Sequence, residues 1–261
     1  LHHYNKKIER AIQVARFLSK KEKIMKKVLG KMRRAIEDYH MIDAGETICV
    51  AVSGGKDSML LLNALATYRN FSPIPFELHA ISLDLGFKNT DYGKIAAYCE
   101  SLDVPFALKE TRIGEIVFER REEKNPCALC SNLKRGALHN LALELGSKKV
   151  ALGHHADDLV ETFLMSLLYE GRIQSFKAVT FLDRKGITVI RPLIYLREQE
   201  IIYAVNQEKI PVVKSNCPAD GNTKREEMKQ LVRELSQKIP KSDERMILAV
   251  KKYMDEQQSQ E

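Results

Sequence analysis

No apolar run in this chain approaches the roughly 20 residues that a bilayer-spanning helix needs. No internal repeat or low-complexity stretch occurs, which excludes solenoid and fibrous architectures. Leu1–Arg10 is polar and basic, which is not the pattern of an export signal, so a cytoplasmic, reducing compartment is expected. Cysteine is scarce. Five in 261 residues, an odd count, do not make a disulfide scaffold, and clustered cysteines in a reducing compartment read as metal ligands or redox groups.

What is present fits one large α/β domain with an appendage: 44% of residues are apolar and 30% charged. The net charge of +7 is unevenly placed. Residues 1–40 carry twelve Lys and Arg against four acids, a balance of +8, so residues 44–261 are together neutral. A local basic surface points to a polyanion, nucleic acid first and anionic membrane second; a solvated helix face is the plain alternative.

Residues 5–18 and 21–39 are predicted helices. Ile24, Val28, Met32, Ala35 and Tyr39 recur at helical spacing, giving one stripe to dock and one cationic face to display. From residue 46 the pattern alternates. Strands are predicted at Glu46–Ser53, Phe76–Leu83, Phe106–Thr111 and Lys149–His154. Helices are predicted at Ser58–Tyr68, Lys88–Leu102, Cys127–Leu145 and Asp157–Tyr169. Phe176–Phe181 and Ile187–Leu193 flank a turn and form a hairpin, followed by helices Arg197–Gln207, Thr223–Gln237 and Ser242–Met254. The predicted fold is α/β, Rossmann-like, with a mostly parallel sheet covered on both faces and ligands at the strands' carboxyl edge. The predicted division is a basic helical appendage at 1–43, the α/β domain at 44–215 and a C-terminal helical segment at 216–261.

Ser53-Gly54-Gly55-Lys56-Asp57-Ser58 follows the apolar strand Ile48–Val52 directly. Two glycines let the backbone turn its N–H groups toward an anion, and the next helix adds its positive end. Ser53 and Ser58 can donate to phosphate and Lys56 adds charge. Asp57 beside phosphates needs a reason, and holding Mg²⁺ is the obvious one. A Walker A loop is excluded, because Val50 stands where its first glycine belongs. A second motif, Gly153-His154-His155-Ala156-Asp157-Asp158, follows the fourth strand. Its carboxylates can hold Mg²⁺ or cap the next helix, and its histidines can bind metal or simply face solvent.

Cys127 and Cys130 form a CxxC at a helix start, and Cys217 lies in the irregular Ser215-Asn-Cys-Pro218. Cys49 and Cys99 read as core thiols. Three thiolates are one short of a closed zinc site, whereas an iron–sulfur cluster so held keeps one iron open. Spacing leaves cluster, zinc and redox pair as alternatives.

The SGGKDS stretch resembles the motif of the PP-loop ATP pyrophosphatases, which cleave ATP between the α- and β-phosphates to form adenylates. The order SGGKDS, PCALCSNLKRG, ALGHHADDLVETFLMSLLYEG, VIRPLIYLRE and SNCP resembles the tRNA 2-thiocytidine synthetase family, from about Asp38 to about Arg233. The resemblance implies a 4Fe–4S cluster on Cys127, Cys130 and Cys217. It also implies ATP and Mg²⁺ as ligands of Ser53, Gly54, Gly55, Lys56, Ser58 and Gly153, with Asp57 and Asp158 managing metal and pyrophosphate. Adenine is expected against the backbone of Ala80–Ile81, at the end of the second strand. The C2 oxygen of a tRNA pyrimidine, most specifically an anticodon-loop cytidine, becomes adenylated and is replaced by sulfur. Lys134, one turn past Cys130, matches a lysine that related thiolases use. The implied partners are tRNA and a sulfur donor, cysteine desulfurase or free sulfide; no membrane is implied, and a homodimer is open. The related 2-thiouridine synthetases carry extra terminal CxxC zinc fingers, which this sequence lacks. One departure is Lys214, where the family often has the first cysteine of a second CxxC. The alternatives are 2-thiouridine formation, desulfuration, action on a small molecule, or a nucleotide-binding module with structural zinc.

Overall fold

The computed structural model describes residues 23–87, 90–120, 126–214, 216–219, 221 and 223–258. The predicted helix at 5–18 lies outside them. Helix α1 spans residues 23–38, and its stripe docks as the spacing predicts. Val28, Met32, Ala35 and Ile36 are buried, with Ile24, Met25, Leu29 and Tyr39 packed beside them, all in one cluster with the sheet's own core residues.

The chain then alternates through β1 (Thr47–Ala51), α2 (Lys56–Arg69), β2 (Glu77–Asp84), α3 (Tyr92–Ser101) and β3 (Phe106–Glu110). A short helix α4 (Ile113–Glu115) runs into a π turn at Ile116–Arg120, which the periodicity did not predict. Next come α5 (Pro126–Glu144), β4 (Lys149–Ala151), α6 (Ala156–Glu170), β5 (Val179–Leu182), β6 (Ile187–Ile190), α7 (Glu198–Glu208), α8 (Lys224–Lys238) and α9 (Ser242–Gln258). The described strands form a six-stranded sheet ordered β3-β2-β1-β4-β6-β5. All neighbours pair in parallel except the hairpin β5–β6, as predicted.

Parallel strands are buried on both faces, so β1 reads as an unbroken apolar run. Ile48 and Val50 face the main core with α1 and α2, while Cys49 faces a second cluster with Leu141, Val150 and Ile187. Order reverses between β1 and β4: the chain winds outward through β2 and β3, then crosses back to the other side of β1. A crevice opens at such a switch point, beyond the carboxyl ends of the strands. Both sequence motifs lie there, SGGKDS after β1 and GHHADD after β4. Two predicted boundaries move. β4 is shorter than Lys149–His154, because Gly153 turns out of the sheet to pack on α2. α3 begins at Tyr92 rather than Lys88, where the Asp91 carboxylate accepts the Lys94 N–H at 3.1 Å. Among the described residues, no helix is long and apolar enough to cross a membrane.

Candidate active site

Gly54 has φ +84°, a conformation that L side chains rarely adopt. A Cβ there would also lie 2.9 Å from the Cβ of Val213, whose N–H donates to the Gly54 carbonyl at 2.9 Å. The loop is therefore seated on the chain segment that leads to Cys217. Gly55 begins α2 in extended conformation. Ser58 is buried; its hydroxyl oxygen accepts the Ser53 N–H at 3.1 Å, donates to the Gly55 carbonyl at 2.9 Å and lies 3.1 Å from the Ser53 hydroxyl. The two serines thus close the loop around the helix start.

Lys56 is held between carboxylates, 3.1 Å from Asp57 Oδ2 and 3.0 Å from Glu198 Oε1. Burial lowers its pKa, but these carboxylates outweigh that and raise it. Asp57 Oδ1 is buried and has no hydrogen-bond partner among the described residues. A buried, unsatisfied carboxylate oxygen at a phosphate loop fits a divalent cation, since Mg²⁺ takes one or two protein carboxylates and fills its sphere with phosphates and water. Asp158 is engaged: Oδ2 accepts the His155 N–H at 3.0 Å and Oδ1 accepts Arg225 at 3.3 Å. Its Oδ2 is also 3.4 Å from His155 Nε2, and that nitrogen is 3.7 Å from Asp57 Oδ1. Gly153 lets the second motif meet the first, because a Cβ there would fall 2.9 Å from the Asp57 carbonyl carbon and 3.0 Å from the Ser58 nitrogen.

One placement needs correction. Ile81 is not at the end of β2, which continues to Asp84. Its side chain is fully buried and its carbonyl accepts the Val52 N–H at 2.8 Å. The carboxyl edge of β2 is Ser82–Asp84.

Cys127 and Cys130 sit in the first turns of α5, behind Pro126 in the first helical turn, where proline is favoured. Because α5 leads back from the carboxyl edge of β3, its N-terminus lies on the same edge as the phosphate loop. Cys127 is exposed and Cys217 half-buried. Cys130 is buried beside Ile113 and Val117 of α4 and the π turn. Burial raises the Cys130 pKa, the Lys134 ammonium lowers it, and the charges of Cys217 and Cys127 raise it again. Lys134, Cys217 and Cys127 therefore each stand within electrostatic reach of Cys130. Cys49 and Cys99 are buried elsewhere, their thiols pushed up by burial, Cys99 to about 11. Among the described residues no three His, Cys, Asp or Glu side chains are placed to grip a single ion. Cys127, Cys130 and Cys217 are the sulfur donors that an iron–sulfur cluster would need.

A family profile described as a PP-loop domain matches residues 22–235. The tRNA-cytidine(32) 2-sulfurtransferase of Pelobacter propionicus is 42% identical over 83% of this chain and 82% of its own length. Its Geobacter sulfurreducens counterpart is 39% identical over 82% and 85%. The chain belongs to this PP-loop sulfurtransferase family. The solved U34-tRNA thiolase NcsA of Methanococcus maripaludis, described with its 4Fe–4S cluster, superposes with a TM-score of 0.75 over 90% of this chain and 80% of that one. At 21% identity that likeness shows the shared fold.

Within this family member, several site residues carry no local sequence signature. Neither histidine faces solvent freely: His155 is buried, and half-buried His154 stacks on Phe176 with centroids 5.0 Å apart. Arg191, buried at the end of β6, donates through Nε to His154 Nδ1 at 3.2 Å. The available signal was an arginine inside the apolar run Ile187–Leu196. Arg225 reaches Asp158, Glu161 and Thr162. Arg197 joins Asp157 at 3.0 Å to Asp243 at 2.5 Å. Nothing local in the sequence marks these pairings, which join residues 40 or more positions apart.

Proposed function

We propose that this chain is an ATP-dependent tRNA sulfurtransferase that replaces the C2 oxygen of a cytidine with sulfur, acting on tRNA in the cytoplasm. One observation carries the reading: the phosphate loop with its unsatisfied Asp57 oxygen and the Cys127–Cys130–Cys217–Lys134 group share one edge of the sheet, joined by the Val213–Gly54 hydrogen bond. The activity for which these relatives are named, on cytidine 32 of tRNA, supports the choice of substrate.

The backbone of Ser53–Gly55, the start of α2 and the hydroxyls of Ser53 and Ser58 would bind the ATP phosphates. Asp57, with Asp158 behind it, would hold Mg²⁺, which supplies charge neutralisation on the departing pyrophosphate. Adenine would sit toward Ser82–Asp84. The C2 oxygen of the cytidine attacks the α-phosphorus; the bond to the β-phosphate oxygen breaks and pyrophosphate leaves. C2 is then electrophilic and AMP a good leaving group. Sulfide adds to C2, the C2–O bond breaks, and AMP departs. Cys127, Cys130 and Cys217 would ligate a 4Fe–4S cluster, which leaves one iron open to present sulfur. Lys134 favours the thiolate form of Cys130 and places a positive charge beside the incoming sulfide.

Anaerobically reconstituted protein, given ATP, Mg²⁺, sulfide and tRNA, should yield 2-thiocytidine by nucleoside mass spectrometry, with AMP and pyrophosphate in equal amounts. Cys217→Ala should lose iron and product, and Cys99→Ala should keep both. ADP as the nucleotide product, or thiolated uridine in place of cytidine, would overturn the reading.

A further inference from the structure

His154, Arg191 and Phe176 form a built cluster that no step above uses. It stands at the carboxyl edges of β4 and β6, next to Gly153, whose backbone presses on the first turn of α2. Arg191 is 8% exposed and fixed on three sides. Nη1 donates to the Lys177 carbonyl at 2.7 Å and to Thr180 Oγ1 at 3.1 Å, and Nε donates to His154 Nδ1. Its guanidinium also lies 5.0 Å from the Phe176 ring centroid.

An arginine donates only, so Nδ1 of His154 must accept, and the ring proton of the neutral imidazole must be on Nε2. Burial first, and the Arg191 charge second, hold the pKa of His154 down, to about 4, against a smaller opposing effect of Asp158. The ring is therefore neutral at pH 7, with a single donor. Among the described residues nothing accepts from Nε2, and the side chain keeps partial exposure. The fixed Nδ1 bond excludes His154 from metal binding through that nitrogen and from service as a base.

We infer that His154 is a catalytic residue whose Nε2–H donates to a non-bridging oxygen of the α-phosphate, with Arg191 and Phe176 as positioning residues. The inference rests on the adenylation chemistry proposed above. In that reading adenosine would lie on the β2 side of β1, and the pyrophosphate over the start of α2. The β4–β6 side is then left for the α-phosphate and the attacking oxygen. Negative charge grows on the α-phosphate oxygens as the attacking oxygen adds, and grows again as AMP leaves. A donor preorganised there stabilises both steps without a proton transfer.

Asparagine at 154 can keep the Arg191 bond through its carbonyl but cannot reach the Nε2 position; glutamine places an amide N–H near that position. In single-turnover assays with tRNA, His154→Asn should slow pyrophosphate release by about 10²–10³, the range for losing one such donor. Its ATP affinity and melting temperature should stay near wild type. His154→Gln should recover at least about tenfold of that loss. Arg191→Gln should move the acid limb of the rate profile upward from its position near pH 4, because the imidazole loses the second of the two effects that hold its pKa down while burial remains. A full wild-type rate in His154→Asn, or equal losses in Asn and Gln, would overturn the inference. If wild-type protein forms no AMP and pyrophosphate at all, the functional reading fails first, and the two failures are told apart by that control.

Discussion

At the scale of single residues, the site depends on two positions that tolerate no side chain. Gly54 needs its positive φ, and Gly153 needs its bare Cα, because the two motifs meet backbone to backbone. Gly153→Ala brings a methyl to 2.9–3.0 Å from the carbonyl group of Asp57 and the nitrogen of Ser58. These are main-chain atoms at a helix start and cannot swing aside as a side chain would. Overpacking of this kind costs about 1–3 kcal/mol. The displacement falls on the turn that binds phosphate, so ATP affinity should drop more than stability does. Isothermal titration with ATP, set beside a thermal melt, separates the two; a variant that binds ATP as tightly as wild type would show that the loop does not need this close approach. Gly54→Ala is worse on both counts, because strain adds to the clash with Val213.

At the scale of elements, most of the architecture was legible because it repeats. The alternation of strand and helix, the hairpin and the docking stripe of α1 all follow from apolar spacing. What stayed hidden is set by tertiary contact. The π turn at Ile116–Arg120 exists where Val117 and Phe118 pack against Cys130 and its neighbours, and its sequence carries no period of its own. The early stop of β4 depends on Gly153 meeting α2, and the true carboxyl edge of β2 depends on pairing with β3 out to Glu110. The phosphate loop and the three cysteines were visible as local motifs; the partners of His154 were not, since Arg191 lies 37 residues away. The status of α1 illustrates the difference. Charge marks it as an appendage, but Met32 and Ala35 are fully buried in the main core. Met32→Ala should therefore destabilise the whole domain by about 2–5 kcal/mol, as for other large-to-small core changes. Denaturant unfolding followed at once by a helix signal and by ATP-site binding should show one shifted transition. Separate transitions would mean that α1 melts independently of the sheet.

At the scale of the whole molecule, the question is where a polyanion is gripped. Around the phosphate loop most cations are already matched. Lys56 and Lys229 share Glu198, Arg197 bridges Asp157 and Asp243, and Arg225 spans Asp158 and Glu161. This network fixes α7, α8 and α9 to the crevice and leaves little charge for a long phosphate backbone. The excess lies in residues 1–40, part of which is outside the described residues. On α1 itself Lys27 and Lys31 both meet Glu200, at 2.9 and 2.6 Å; burial of Glu200 is outweighed by Lys31, the Arg197 N–H and Lys27, which hold its pKa down to about 2. Those two lysines anchor α1 to α7. Arg33 and Arg34 make long ion pairs with Glu37 and Asp38, at 3.6 and 3.5 Å, and such exposed pairs contribute little and are screened by salt; Arg34 also lies 5.9 Å from the Tyr195 ring centroid. Lys23, Arg33 and Arg34 are thus the described α1 cations best placed to exchange their surroundings for RNA phosphates. Replacing all three with glutamine should weaken tRNA binding and lower the slope of log affinity against log salt by somewhat under ~1 for each phosphate no longer neutralised. ATP binding should hold, because none of the three has a contact with the phosphate loop, and the unfolding midpoint should fall only slightly, through loss of the Arg34 contact with the Tyr195 ring. Replacing Lys27 and Lys31 instead should lower stability as well as affinity, since half-buried Glu200 then keeps only the Arg197 N–H. Filter binding across a salt series measures both slopes, and an unchanged slope in the triple variant would move the RNA-binding surface off this face of α1.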